Sequence, residues 1–132
     1  MQFNAQLLAA VIPRSTLVDS PAAAQRAWQR DQLAICLPLS WLEADEAQGR
    51  PVPHRWQFTS DSIAAHLATQ LSAAQLTLLK SVTPSDQMTL AQASAAGIVD
   101  ECFPEAAGRL QRIDIVNLRE TREPVPLLLA NA

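Results

Sequence analysis

Apolar residues recur at Phe3, Leu7, Leu8 and Val11, the spacing of one helical face, and Pro13 ends that segment. Ser15 to Asp19 then reads as a short strand. Asp19 or Ser20 can cap a second helix with Pro21 in its first turn, which runs through a series of alanines to about Arg30. Leu33 to Leu37 is a continuous apolar run stopped by Pro38, the signature of a strand buried on both faces. A short helix over Ser40 to Gln48 and a loop over Gly49 to Pro53 follow. The next pattern is a helix from Thr59 to Leu71, then a second apolar strand from Leu76 to Val82. Thr83 to Asp86 is a turn. Thr89 caps a helix over Leu90 to Ala96, with Gly97 placed to end it. A loop carries Phe103-Pro104. Arg112 to Leu118 alternates in polarity and reads as a last strand.

Strands that alternate with helices predict an α/β fold, with a small, mostly parallel sheet between helical layers in a three-layer αβα arrangement. The organisation expected is one domain over residues 1–120, with an apolar tail over 121–132 that docks on a partner or closes the core. About four strands make a small sheet, so an edge covered by another chain is expected, as a homo-oligomer or with a separate partner.

Composition narrows the function classes. The chain has 132 residues and a formal net charge of −3, and its positive charges are scattered, which argues against nucleic acid as a partner. No apolar run is long enough to cross a membrane, and the N-terminus lacks the layout of a signal peptide, so a cytoplasmic protein is expected. Cys36 and Cys102 stand apart, without a CxxC pattern or a His/Cys cluster. No metal site is read from the sequence. Trp28, Trp41 and Trp56 read as core or interface anchors, and Glu43, Asp45 and Glu46 as a solvated helix face. Asp100 and Glu101 read as loop carboxylates, and His54 and His66 have no partners at metal-ligand spacing.

The densest chemistry lies in Trp56-Gln57-Phe58-Thr59-Ser60-Asp61-Ser62-Ile63-Ala64. Hydroxyls and a carboxylate meet there at the start of a helix, where backbone N–H groups lack intrahelical partners. Two readings fit. Thr59 or Ser60 caps the helix while Asp61 favours its dipole, or the segment borders a phosphate. Lys80 falls at the end of a strand, where a parallel sheet places ligand contacts.

Taken with Ala74-x-Leu-x-Leu-Leu-Lys80-Ser-Val, this segment resembles the amino acid kinase superfamily of aspartate, acetylglutamate and uridylate kinases. Within it, the likeness is to the branch of furanmethanol phosphate kinase-like proteins. Ala27-Trp28 before the strand ending Cys36-Leu37-Pro38, and Gly97-Ile98-Val99-Asp100 before Phe103-Pro104, follow in the same order. The resemblance covers roughly residues 1–118 and implies the C-terminal, nucleotide-side half of the carbamate kinase-like fold. It implies that Asp61 organises the site as its catalytic residue if the protein is active. It further implies that Thr59, Ser60, Asp61, Lys80 and Ser81 border ATP and its Mg²⁺. The chain departs from the family in having three dispersed glycines, Gly49, Gly97 and Gly108, with no glycine-rich phosphate loop. Its only lysine is Lys80, so the family's N-terminal catalytic lysine has no counterpart. The functional expectation is therefore a kinase-family protein that is non-catalytic alone, with a degenerate nucleotide site. The alternatives are an ATP-dependent small-molecule kinase completed by a missing half, and a purely structural subunit.

Overall fold

A computed structural model describes residues 1–120 and 123–129, which form two compact units, Met1–Pro53 and His54–Ala132. Residues 121, 122 and 130–132 of the expected tail lie outside the described residues. The four expected strands all form, but in two sheets rather than one.

The first unit holds helix α1 (Gln2–Val11), strand β1 (Ser15–Val18), helix α2 (Pro21–Gln29), strand β2 (Leu33–Cys36) and helix α3 (Pro38–Ala47). β1 and β2 pair in parallel, with Ser15 opposite Leu33 and Val18 opposite Cys36, and α1 and α2 both pack against this pair. Ser20 caps α2 by accepting from the Ala23 N–H at 3.3 Å, and Pro21 costs nothing at a position whose N–H has no intrahelical acceptor. The apolar positions of α1 do not face this core. Its buried residue is Ala5, whereas Phe3, Leu7, Leu8 and Val11 are exposed. Small side chains let the helix lie close to the strands and turn the large ones outward. The strand read as buried on both faces is only half-covered, with Leu33 exposed, because a two-stranded sheet has an open edge on either side. Trp41 is fully buried, but Trp28 is half-exposed and Trp56, in the second unit, is almost wholly exposed. Of the three tryptophans, Trp41 alone anchors a core. Asp45 is also buried and is not part of a solvated face: Arg50 Nη2 donates to its Oδ1 at 2.9 Å.

The second unit holds helix α4 (Ser60–Gln70), strand β3 (Leu76–Lys80), helices α5 (Leu90–Ala95) and α6 (Phe103–Ala106), and strands β4 (Ile113–Asn117) and β5 (Val125–Pro126). The order is β3-β4-β5, with β3 and β4 parallel and β5 antiparallel to β4. The Phe103-Pro104 segment is a four-residue helix and not a loop, started by Pro104 in its first turn. The tail closes the core of its own unit. Leu127 is buried, and the Leu128 N–H and carbonyl bond to Met88 and Leu90 at 2.9 and 3.2 Å. The alternating segment is the most enclosed strand: every residue of β4 is buried, Asp114 and Asn117 included, because it is the central strand of three. Asp114 accepts from Arg112 Nε at 3.1 Å and from the Gln75 amide, and Asn117 donates to Thr83 Oγ1 at 2.9 Å. Neither polar group is left without a partner, the condition for burying one. Ala65 and Ala68 of α4, Phe103, Ile113 and Ile115 fill the core.

Four helices end alike. In α2, α3, α4 and α5 the residue two past the last helical one adopts positive φ: Asp31 at 55°, Gly49 at 72°, Ser72 at 50° and Gly97 at 69°. After each, the next N–H reaches back to a carbonyl five residues earlier, as in Ile98 to Ala93 and Ala73 to Ala68, both at 2.9 Å. Glycine adopts this conformation freely, whereas a Cβ makes it costly. A Cβ at Gly97 meets nothing within 4 Å, so the cost of a side chain there is conformational only. Ser72→Gly is expected to raise stability by about 1 kcal/mol and Gly97→Ala to lower it by a similar amount. Urea midpoints at unchanged slope would check both, and a Gly97→Ala protein as stable as the wild type would refute the account.

Candidate functional site

Lys80, at the end of β3, reaches Asp61 in the first turn of α4, so the N-terminus of α4 lies at the end of the unit where β3 and β4 finish. Three parts of the chain meet there: the entry to α4, the end of β3, and the loop between α5 and α6. Asp61, in the first turn of α4, is buried. Lys80, last residue of β3, donates from Nζ to Asp61 Oδ2 at 2.6 Å. Both side chains are largely enclosed, 12% exposed for Asp61 and 22% for Lys80. Their attraction is therefore less screened than that of a surface pair, and losing one partner strands the other.

The second feature is Asp100. The Schellman turn at Gly97 ends α5 and sends the chain through Ile98 and buried Val99, which delivers the Asp100 carboxylate to the start of α4. Its Oδ2 accepts from Thr59 Oγ1 at 2.7 Å, from the Thr59 N–H at 3.2 Å and from the Ser62 N–H at 3.0 Å. Its Oδ1 accepts from the Ser62 hydroxyl and, at 3.1 Å, from the Cys102 N–H. Asp61 lies in the first turn, where its charge suits the helix dipole, but the hydroxyl cap expected from Thr59 is not made. Asp61 is also paired with Lys80, and the cap comes from Asp100, 41 residues beyond Thr59. Partial burial works to raise the Asp100 carboxyl. The hydroxyl bonds from Ser62 and Thr59, with their backbone N–H bonds, outweigh it and hold Asp100 below the usual carboxylate range.

An open depression of about 420 Å³ lies over these groups, lined by Gln57, Thr59, Asp61, Lys80, Ser94, Asp100 and Glu101, with Ile98 and Val99 as its apolar part. Of the residues marked from sequence, the fold brings Thr59, Asp61 and Lys80 together. Ser60 is exposed at the start of α4 and Ser81 is exposed past β3, and neither lines the depression. Asp100, Ser62 and Glu101 were not marked as site residues. The paired hydroxyls at Thr59 and Ser62 signalled a need for an acceptor, but no local pattern said that Asp100 would supply it. Among the described residues no group of three or more His, Cys, Asp or Glu is placed to hold a metal ion. His66 sits mid-helix, with its Nε2 2.9 Å from the Gln70 side-chain nitrogen.

Comparison with family models, curated proteins and solved structures gave no match to this chain.

The Asp100 carboxyl has a lower pKa folded than unfolded, so its contribution to stability is complete above the ordinary carboxylate value of 3.8 and is lost as pH falls through the lower folded value. Asp100→Asn is expected to cost about 1–3 kcal/mol at neutral pH, since an amide offers one oxygen acceptor where the carboxylate offers two charged ones. The difference between variant and wild type should narrow as pH drops below that value. A gap that stays constant from neutral pH to pH values well below the carboxylate range would contradict the charged cap.

Proposed function

We propose that the chain is a non-catalytic, kinase-like binding module whose depression over Asp61 and Lys80 takes the phosphate end of a magnesium nucleotide such as ATP·Mg²⁺. The observation that carries this reading is the Asp61–Lys80 ion pair, 2.6 Å long, at the end of two parallel strands and at the mouth of an open depression. Parallel sheets bind ligands at that end. Phosphoryl chemistry needs cations held in position there, which a carboxylate can orient but not supply.

The same surroundings argue for binding without catalysis. The depression carries three carboxylates, Asp61, Asp100 and Glu101, against one ammonium, Lys80. A bare triphosphate would meet net negative charge, so a nucleotide whose charge is reduced by Mg²⁺ is the form that fits. The helix N-terminus, elsewhere a seat for phosphate, already holds an anion: Asp100 takes the Thr59 and Ser62 N–H groups. These 132 residues contain no glycine-rich loop to replace those donors, and no second lysine. What is left for a ligand phosphate is Lys80 and the magnesium that the nucleotide brings.

Asp100 also favours the alternative. A helix end closed by the protein's own carboxylate serves a purely structural subunit equally well, and the Asp61–Lys80 pair would then fasten α4 to β3.

Calorimetric titration with ATP·Mg²⁺ and with ATP alone separates the two. The binding reading expects heat with the magnesium complex at up to millimolar nucleotide, much less without the metal, and no turnover. Lys80→Ala should abolish that heat, and Asp61→Asn should weaken binding by about tenfold or more, equivalent to roughly 1.4 kcal/mol. Absence of heat and of a thermal shift with either titrant would leave the structural reading.

A further inference from the structure

Trp56 stands almost wholly in water, 96% exposed, on the turn that leads into α4. Tryptophan is largely buried in most folds, because its ring carries a large apolar area. The segment that holds it is anchored on both sides of the ring. The Phe58 N–H closes a turn onto the Arg55 carbonyl at 3.1 Å, which puts Trp56 and Gln57 at the two central positions, and Phe58 itself is partly buried. One residue further on, Thr59 is bonded to Asp100 through its hydroxyl at 2.7 Å and its N–H at 3.2 Å. The indole is thus carried at the rim of the depression. Gln57, the next residue and about 3.8 Å away between Cα atoms, is in the wall of that depression together with Lys80.

We propose that Trp56 is the base-stacking residue of this site: it covers one face of the nucleobase of a nucleotide whose phosphate end lies at Lys80. The inference rests on the nucleotide reading above and extends it from the phosphates to the rest of the ligand. Position favours it first, since a ligand held at Lys80 and long enough to reach Gln57 meets the indole beside it. Charge favours it next. The depression offers a phosphate one ammonium among three carboxylates, so a contact that is indifferent to charge adds affinity which electrostatics there does not supply. Stacking on an aromatic ring is such a contact, and every base has a face for it. The setting of the ring also separates a small planar ligand from a protein. A protein partner anchors on a ring surrounded by contacts that exclude water. Trp56 is the only exposed large apolar residue between Leu39 and Leu79, and its turn neighbours Arg55 and Gln57 are polar and exposed.

Titration calorimetry with ATP·Mg²⁺ and with methyl triphosphate·Mg²⁺, which carries the same phosphates without ribose or base, separates the base contact from the phosphate contact. The wild type is expected to bind ATP·Mg²⁺ about tenfold more tightly, the size of one base–aromatic stack. Trp56→Ala should lower affinity for ATP·Mg²⁺ by a similar factor and leave that for methyl triphosphate·Mg²⁺ unchanged, and Trp56→Phe should keep most of the ATP affinity. Indole fluorescence should fall on ATP·Mg²⁺ addition in the wild type but not in Trp56→Phe, which retains Trp28 and Trp41. The side chain lies in water, so these variants should fold as the wild type does by circular dichroism. A Trp56→Ala protein that binds ATP·Mg²⁺ like the wild type overturns the stack and leaves the nucleotide site standing. Equal losses for the two ligands overturn it as well, because the turn then acts on the phosphate end and not on the base. Heat with neither ligand removes the nucleotide reading itself, and the stack with it.

Discussion

The entry to α4 depends on one carboxylate. A helix that starts beside other protein leaves N–H groups that water serves poorly, and each needs an acceptor. Here a single side chain meets that need, since Asp100 accepts from both N–H groups and both hydroxyls of Thr59 and Ser62, and from the Cys102 N–H as well. The cost is desolvation of the charge, and five donors converging on two oxygens outweigh it. Because the donors lie on α4 and at the start of α6, the same bonds hold those segments in register. Asp61 is aimed at Lys80 from the first turn of a helix whose start is thereby immobilised.

The central strand imposes the other constraint. β4 has a neighbour on either side, and both of its faces are covered, so its two polar side chains had to be satisfied from within. Asp114 is served by Arg112 and Gln75, near the start of the strand. Asn117, opposite Lys80 in the register, donates to Thr83 and accepts from the Arg119 N–H at 2.9 Å. It thus fixes the turns that leave both parallel strands at the end where Lys80 sits. The groups that shape this end of the unit are hydrogen-bonded from below as well as from α4.

Local chemistry was legible in the sequence. Pro13, Ser20 with Pro21, Thr89 and Gly97 mark helix ends through bonds made within a few residues, and each is found where those residue types place it. What was not legible required knowledge of neighbours. The spacing of Phe3, Leu7 and Val11 identified a helix, but spacing alone does not say whether the apolar face or the alanine face meets the strands. Alternation in Arg112–Leu118 identified a strand, but not that its polar positions would be enclosed. Four strands with intervening helices imply one sheet only if each strand pairs with the next group, and the 49–53 segment, where the units divide, reads as a loop without revealing that the sheet changes there. For the site, Asp61 and Lys80 were both recognised, and their pairing follows from the direction in which α4 must run. Asp100 was placed in a loop, because nothing near it in sequence reveals the hydroxyls 38 and 41 positions earlier that it serves.

The position of the Asp61–Lys80 pair is what any unit with a helix leading into a parallel strand offers, so position alone does not distinguish a binding group from a fastener. The charge balance around it is more informative. A pair that exists only to join α4 to β3 has no need of a depression above it or of Glu101 at its rim, and it gains nothing from the exposure that Lys80 retains. In a purely structural role, partial hydration of the pair weakens it at no benefit. A ligand with its own cation changes the accounting: magnesium-bearing phosphate can be shared between Lys80 and the surrounding carboxylates without stripping Lys80 from Asp61. On the reading proposed above, the excess of carboxylates, which would repel a bare phosphate, is what would select the metal complex.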